Sequence, residues 1–267
     1  MPLFGLCLLT FVIHLVGRLA YAVRIAGVRT GRLAVSFALF NVLILLSRTS
    51  NTFQGPFLAK RVEHSIRAVS GEGSAILSDM RWLLISATLA TIVGAICTPT
   101  FQRLFSRAVQ HFHVHRSMSK LLLHTLTRGG VLYLREDVSL PTTQNVTRLS
   151  EGTGLSVGVV CANVVAIALW TVGVFAALYA GTLRPELRVT CNSLSSVING
   201  VATVLMFAFI DPQLSVMTDD VAGRKVSEGT FRRAITALIG ARVLGTVLAQ
   251  ALLVPSAFVI AKIAEYL

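Results

Sequence analysis

The sequence predicts an all-α polytopic membrane protein with about six transmembrane helices in one membrane domain, residues 1–267. Of the 267 residues 54% are apolar and only 13% charged, against about 25% charged in soluble domains. Several apolar runs reach the length of about 20 residues that crosses hydrocarbon at 1.5 Å per residue. Backbone inside a bilayer must satisfy its own hydrogen bonds, and these runs lack the period-2 alternation of barrel strands, so they are helices.

The first span is drawn from about Leu3 to Val23. No lysine or arginine precedes it and no small-x-small cleavage site follows, so it reads as a retained helix. His14, Arg18 and Tyr21 stand at i, i+4 and i+7 and form a polar stripe on it. His14 reads as a satisfied buried histidine. Arg18 either snorkels to the headgroups or lines a cavity.

The second span, Leu33 to Phe57, carries Arg48 well inside its length. An arginine at a helix centre costs roughly 2.5 to 3.5 kcal/mol on insertion scales, so it is normally turned toward protein or a watery cavity. Asn41, Arg48 and Asn51 fall at i, i+7 and i+10, near one helix face. The third span, Trp82 to Phe101, is interrupted late by Pro99.

The longest connection, 102–154, divides a first half, 1–101, from a second half, 155–267. Its early part spaces Phe101, Leu104, Phe105, Ala108 and Phe112 along one helical face, with basic residues between, and is expected to lie in the membrane interface. His111, His113, His115 and His124 read as interfacial histidines, because no carboxylate or cysteine accompanies them at metal-ligand spacing. Arg135, Glu136 and Asp137 belong to a solvated loop.

The fourth span covers Leu155 to Ala180 and the fifth Val189 to Ile210, which Asp211-Pro212 is expected to end. Along the fifth, Asn192, Ser195, Ser196, Asn199 and Thr203 follow helical spacing. Such small polar faces either glue helices together or form a wet cavity wall. The last span, Ile235 to Ala257, carries Arg242, Thr246 and Gln250 on one stripe and Pro255 near its end. A shift of 156 residues superposes Pro99 on Pro255 and Arg32 on Arg188. Two three-span halves would be inverted in the membrane, an architecture that places a transport site at the repeat interface.

Net charge is +12. The loops after the first, third and fifth spans hold 14 lysines and arginines, and the opposite side with both termini holds 7. By the positive-inside rule the richer loops are cytoplasmic and both termini face outward. An arginine-dominated excess also suits anionic lipid headgroups or a phosphate-bearing ligand, whose oxygens the guanidinium fork matches in pairs. The cations are dispersed without an aromatic platform, which argues against nucleic acid. Cys7, Cys97, Cys161 and Cys191 lack ligand spacing and read as free thiols, with no zinc site. No cofactor-binding motif and no GxxxxGK[ST] loop occurs. A lipid-phosphate enzyme would need a nucleophile or base beside its cations, for which Glu136, Asp137 and His14 are the plausible suppliers. A non-catalytic scaffold that uses its polar faces only for packing is a third reading, against which the intramembrane arginines argue.

The run RIAGVRTGRLAVSFALFNVLILLSRTSNTFQGPFLAK, Arg24 to Lys60, together with LRPELRVTCNSLSSVINGVATVL, Leu183 to Leu205, resembles the bacterial Amj family of alternate lipid II flippases. The resemblance implies a multi-pass protein of the cytoplasmic membrane. It also implies translocation of lipid II, the undecaprenyl-diphosphate-linked disaccharide pentapeptide, from the inner to the outer leaflet for peptidoglycan polymerisation. Besides that substrate, the expected partners are membrane lipids. A charged diphosphate head must cross hydrocarbon that rejects it, so a carrier needs cations and neutral hydrogen-bonders along a cavity. Arg48 is then the expected central diphosphate contact, with Arg18 and Arg242 as further cations. Asn41, Asn51, Asn192 and Asn199 are hydrogen-bonders to phosphate or sugar. Arg24, Arg29 and Arg32 gather the headgroup at the cytoplasmic entrance.

Overall fold

A computed structural model describes residues 2–67, 73–115, 138–141, 147, 149 and 152–267. Among them the chain forms helices and no strand: α1 (Leu3–Thr30), α2 (Leu33–Arg67), α3 (Gly73–His115), α4 (Val157–Leu183), α5 (Arg188–Leu205), α6 (Asp211–Ala222) and α7 (Glu228–Tyr266). A 3-10 turn, Pro185–Leu187, precedes α5, and a π turn, Met206–Ile210, joins α5 to α6. Six stretches are long and apolar enough to cross a membrane: Leu3–Thr30, Leu33–Ile66, Ala75–Gln110, Val157–Leu183, Pro185–Ala222 and Glu228–Tyr266. They overlap the six spans drawn from the sequence, and the protein is an all-α polytopic membrane protein.

Local chemistry sets the helix ends. Gly31 takes a left-handed backbone (φ 67°) after α1, and the N–H of Arg32 returns to the Gly27 carbonyl at 3.1 Å. That closing pattern uses glycine because a Cβ is penalised at positive φ, and it lets α2 start at Leu33 in the reverse direction. Ser156 and Ser227 cap α4 and α7, each hydroxyl accepting a backbone N–H three residues on.

Two boundaries differ from expectation. The third helix does not stop at Phe101: α3 holds Pro99 in its interior and runs on to His115, and Phe105 and Val109 are buried against α1 and α2. Proline removes one hydrogen bond and bends a helix, and burial of the following apolar face carries α3 past it. Nor does Asp211-Pro212 end the fifth span. The π turn shifts the hydrogen-bond register just upstream, and Pro212 falls in the first turn of α6, where its missing N–H has no intrahelical role. Residues 116–137, with His124 and the Arg135–Asp137 cluster, and the side chains of His111, His113 and His115 lie outside what is described.

The packing of α1, α2 and α3 recurs in α4, α5 and α7. In each set the first helix lies along the third over most of its length and along the second nearly as extensively, while second and third touch only sparsely. A core on the face of the bundle that holds both termini joins the two sets: Leu6, Leu58, Met80 and Leu83 pack with Phe175, Leu178, Leu253 and Ile260. At the opposite face α1 alone bridges. Its Tyr21 and Ile25 enter a core with Leu214 of α6 and Phe231 and Leu238 of α7, while Leu19 and Val23 pack with Leu39 and Phe105.

Candidate functional site

The polar stripe of α1 becomes a buried cationic cluster. Arg18, about 22 Å along α1 at 1.5 Å per residue, is 2% exposed. Among the described residues none of its three guanidinium nitrogens has a hydrogen-bond partner. Space for it comes from α3: a Cβ on Gly94 would fall 2.5 Å from Arg18 Cγ. The Arg18 guanidinium carbon lies 5.9 Å from the centre of the Tyr21 ring, and that of Arg242, from α7, lies 4.8 Å from the same centre. Each contact is a cation–π attraction, so one aromatic ring holds two like charges from two different helices.

One turn further along α1, Arg24 is 8% exposed and stands 5.0 Å from the Phe40 ring of α2. Its Nη2 is 3.5 Å from Asp211 Oδ1, whereas Nε and Nη1 have no partner. Two of these guanidinium groups, those of Arg18 and Arg242, meet at the Tyr21 ring, and the third, that of Arg24, meets the Asp211 carboxylate. A buried charge without a partner is costly, and at Arg18 the Tyr21 ring offsets part of that cost.

Nearer the α1–α2 turn, Arg29 pairs with Glu228 of α7 at 3.6 Å. A cleft of about 580 Å³ opens there, lined by Gly27, Gly31, Leu33, Arg224, Ser227 and Glu228. Arg32 sits half-buried at its edge of the α1–α2 turn.

Arg48 is placed elsewhere. Ser36, Ser47 and Gln54 share the face of α2 that grips α1: Ser36 donates to the Val23 carbonyl and Ser47 to the Ile13 carbonyl, and Gln54 donates to Thr10 Oγ1. Asn41, Arg48 and Asn51 are rotated from that face by roughly 60 to 140°, and all three are exposed. Among the described residues the Arg48 side chain has no hydrogen-bond or ion-pair partner, and it does not join the cluster around Tyr21. In α5, Asn192 is exposed, whereas Asn199 turns its Oδ1 against Gly173 of α4, where a Cβ would fall 2.7 Å away. The structure thus brings together Arg18, Arg24 and Arg242 and leaves the α2 and α5 asparagines apart from them. The four cysteines are unpaired, and the described residues hold no group of histidine, cysteine or carboxylate side chains spaced to bind a metal.

A family model described as "Alternate to MurJ", Amj, matches residues 9–264. The chain belongs to the Amj family. It is 35% identical over 270 residues to the lipid II flippase Amj of Bacillus subtilis (strain 168), across 99% of this chain and 97% of that protein. No solved structure matches it.

Sequence reading of this Amj-family chain missed three residues of the cluster. In the sequence Tyr21 belongs to the stripe without a role, Asp211 signals a helix stop, and Gly94 carries no signal. The internal offset contained more than the Pro99 and Pro255 match. At the same shift of 156, Phe53-x-x-Pro56-x-Leu58 of α2 meets Phe209-x-x-Pro212-x-Leu214 at the α5–α6 junction. Both phenylalanines are exposed and both leucines buried. Gly17 likewise meets Gly173, and each sits on the first helix of its set against a polar side chain of the second, Ser47 or Asn199.

Proposed function

We propose that the chain flips lipid II across the bacterial cytoplasmic membrane and that Arg18 and Arg242, on either helix facing Tyr21, hold the diphosphate during the crossing. The observation that carries the site is the set of three partnerless nitrogens on a guanidinium 2% exposed at mid-helix. Hydrocarbon rejects such a charge unless an anion meets it, and arginine's planar fork suits phosphate oxygens. Arg242 supplies the second positive charge, so the pair matches a dianion. The Bacillus relative's name as a lipid II flippase supports the same substrate.

The two three-helix sets act as inverted halves, 1–101 extended by the rest of α3 and 155–267, which rock about the site. The shared positions at an offset of 156 and the recurring packing support this reading. The Pro56 segment of α2 and the Pro212 segment of α6 are equivalent, and each carries a buried leucine into a core at opposite faces of the bundle. With both termini outside, Leu58 belongs to the outer seal and Leu214 to the cytoplasmic one. Arg24, Arg29 and Arg32 gather the headgroup at the cytoplasmic cleft. The exposed stripe of Asn41, Arg48 and Asn51 guides the sugar and phosphate while the polyprenyl tail stays in lipid, and Asn192 and Asn199 offer hydrogen bonds on the second half. An enzyme acting on polyprenyl phosphates would need a carboxylate or histidine beside Arg48, and no described residue stands there in contact.

The test is translocation of fluorescent lipid II by purified protein in vesicles. Wild type moves the label to the opposite leaflet, and Arg18→Gln with Arg242→Gln loses at least about tenfold in rate with insertion intact. An unchanged rate in the double variant would remove the pair from the mechanism.

A further inference from the structure

We propose that Asp211 is a built-in counter-anion that pairs with Arg24 in the unloaded protein, on the approach to the diphosphate site, and is displaced when the lipid head arrives. The inference rests on the flippase reading and adds a residue that competes with the substrate.

Asp211 is the carboxylate that neutralises part of a cluster otherwise made of cations. Its contact with Arg24 is long: 3.5 Å between Nη2 and Oδ1, against about 2.7 to 2.9 Å for a well-formed charge-assisted hydrogen bond. It engages one arm of the fork, and Nε and Nη1 of the same guanidinium stay without a partner although Arg24 is 8% exposed. A bidentate pair would be hard to break, whereas this one is attracted yet incompletely bonded. A diphosphate brings more charge and more acceptor oxygens to the same cations.

Position gives the displacement a consequence. Asp211 opens α6 directly after the π turn Met206–Ile210, and such turns mark places where a helix changes register at functional sites. Its partner lies on α1, so the pair spans the two halves at the cytoplasmic face. Exchange of Asp211 for phosphate loosens one link between α1 and α6 at the moment the substrate is bound. At the internal offset of 156, the residue equivalent to Asp211 is Gly55. The carboxylate is therefore not repeated at the equivalent place of α2.

Undecaprenyl diphosphate in detergent is the probe, with binding to purified full-length protein and lipid II translocation in vesicles as readouts. Asp211→Asn is expected to tighten probe binding by about tenfold and to slow translocation, because a competing charge is gone. Asp211→Glu keeps the charge on a longer arm able to reach both terminal nitrogens of Arg24, and is expected to weaken binding by at least about threefold. A purely structural role would weaken binding in both variants. Unchanged or weaker binding by Asp211→Asn overturns the proposal, and if that variant does not fold, stronger binding by Asp211→Glu overturns it. A wild type that neither binds the probe nor moves lipid II would instead overturn the flippase reading.

Discussion

Gly94 of α3 provides the space that the stem of Arg18 fills: a Cβ there would stand 2.5 Å from Arg18 Cγ and 3.0 Å from its Cβ. The glycine thereby positions a cation on a neighbouring helix. Gly94→Ala is expected to destabilise the protein by about 1 to 3 kcal/mol through overpacking and to impair translocation by shifting the guanidinium off the Tyr21 ring. The stability loss should shrink in an Arg18→Ala background, since the clashing Cγ is then absent and only the 3.0 Å approach to Cβ remains. A double-mutant cycle on thermal or denaturant unfolding measures this coupling, and additive losses would disprove the contact.

Arg18 sets transport against stability. A buried charge without a hydrogen bond is worse than an apolar side chain of similar volume, and such replacements stabilise proteins by about 1 to 4 kcal/mol. Arg18→Met should therefore raise the unfolding midpoint in detergent and abolish lipid II translocation. Functional sites often carry this opposition. Arg242 is only half-buried, so Arg242→Met should give a smaller stability gain with a comparable transport loss. A lower midpoint for Arg18→Met would mean that the guanidinium is a structural strut.

Much of the fold was legible in the sequence because length and hydropathy are dictated by the bilayer. The six spans needed no knowledge of packing. The helix ends needed more, since Pro99 and Pro212 signal breaks locally while the buried Phe105 and Leu214 that carry the helices onward act through distant partners. The site was legible in part. Spacing placed Arg18 and Tyr21 on one face of α1, but periodicity cannot say that Arg242, more than two hundred residues away, meets the same ring. Arg48 stands out because it interrupts a long apolar run, and a charge's prominence along the chain does not reveal whether its helix face is covered.

Orientation has a direct chemical test. Glu63 near the end of α2 and Arg224 in the α6–α7 turn are both exposed and belong to opposite faces of the bundle. With the arginine-rich loops inside, Glu63→Cys should react with a membrane-impermeant maleimide on intact cells. Arg224→Cys should react only after permeabilisation. The reverse pattern would invert the protein and move the Arg24–Asp211 contact to the outer face.

Arg48 separates a guiding role from a structural one. It lies about 22 Å along α2, within a hydrocarbon layer about 30 Å thick, and its exposed face also presents Asn41, Asn51 and Thr52. A face of that polarity turned to lipid tails would be costly, which supports the proposal that it guides the headgroup. Because the side chain is exposed and makes no ion pair, Arg48→Ala should change unfolding stability by less than about 0.5 kcal/mol, yet abolish translocation with insertion intact. Arg48→Lys should restore part of the rate, as a point charge attracts phosphate but lacks the two-pronged fit of the guanidinium. Initial rates in vesicles, measured beside unfolding midpoints, decide the matter: full activity in Arg48→Ala would confine phosphate recognition to the Arg18, Arg24 and Arg242 cluster.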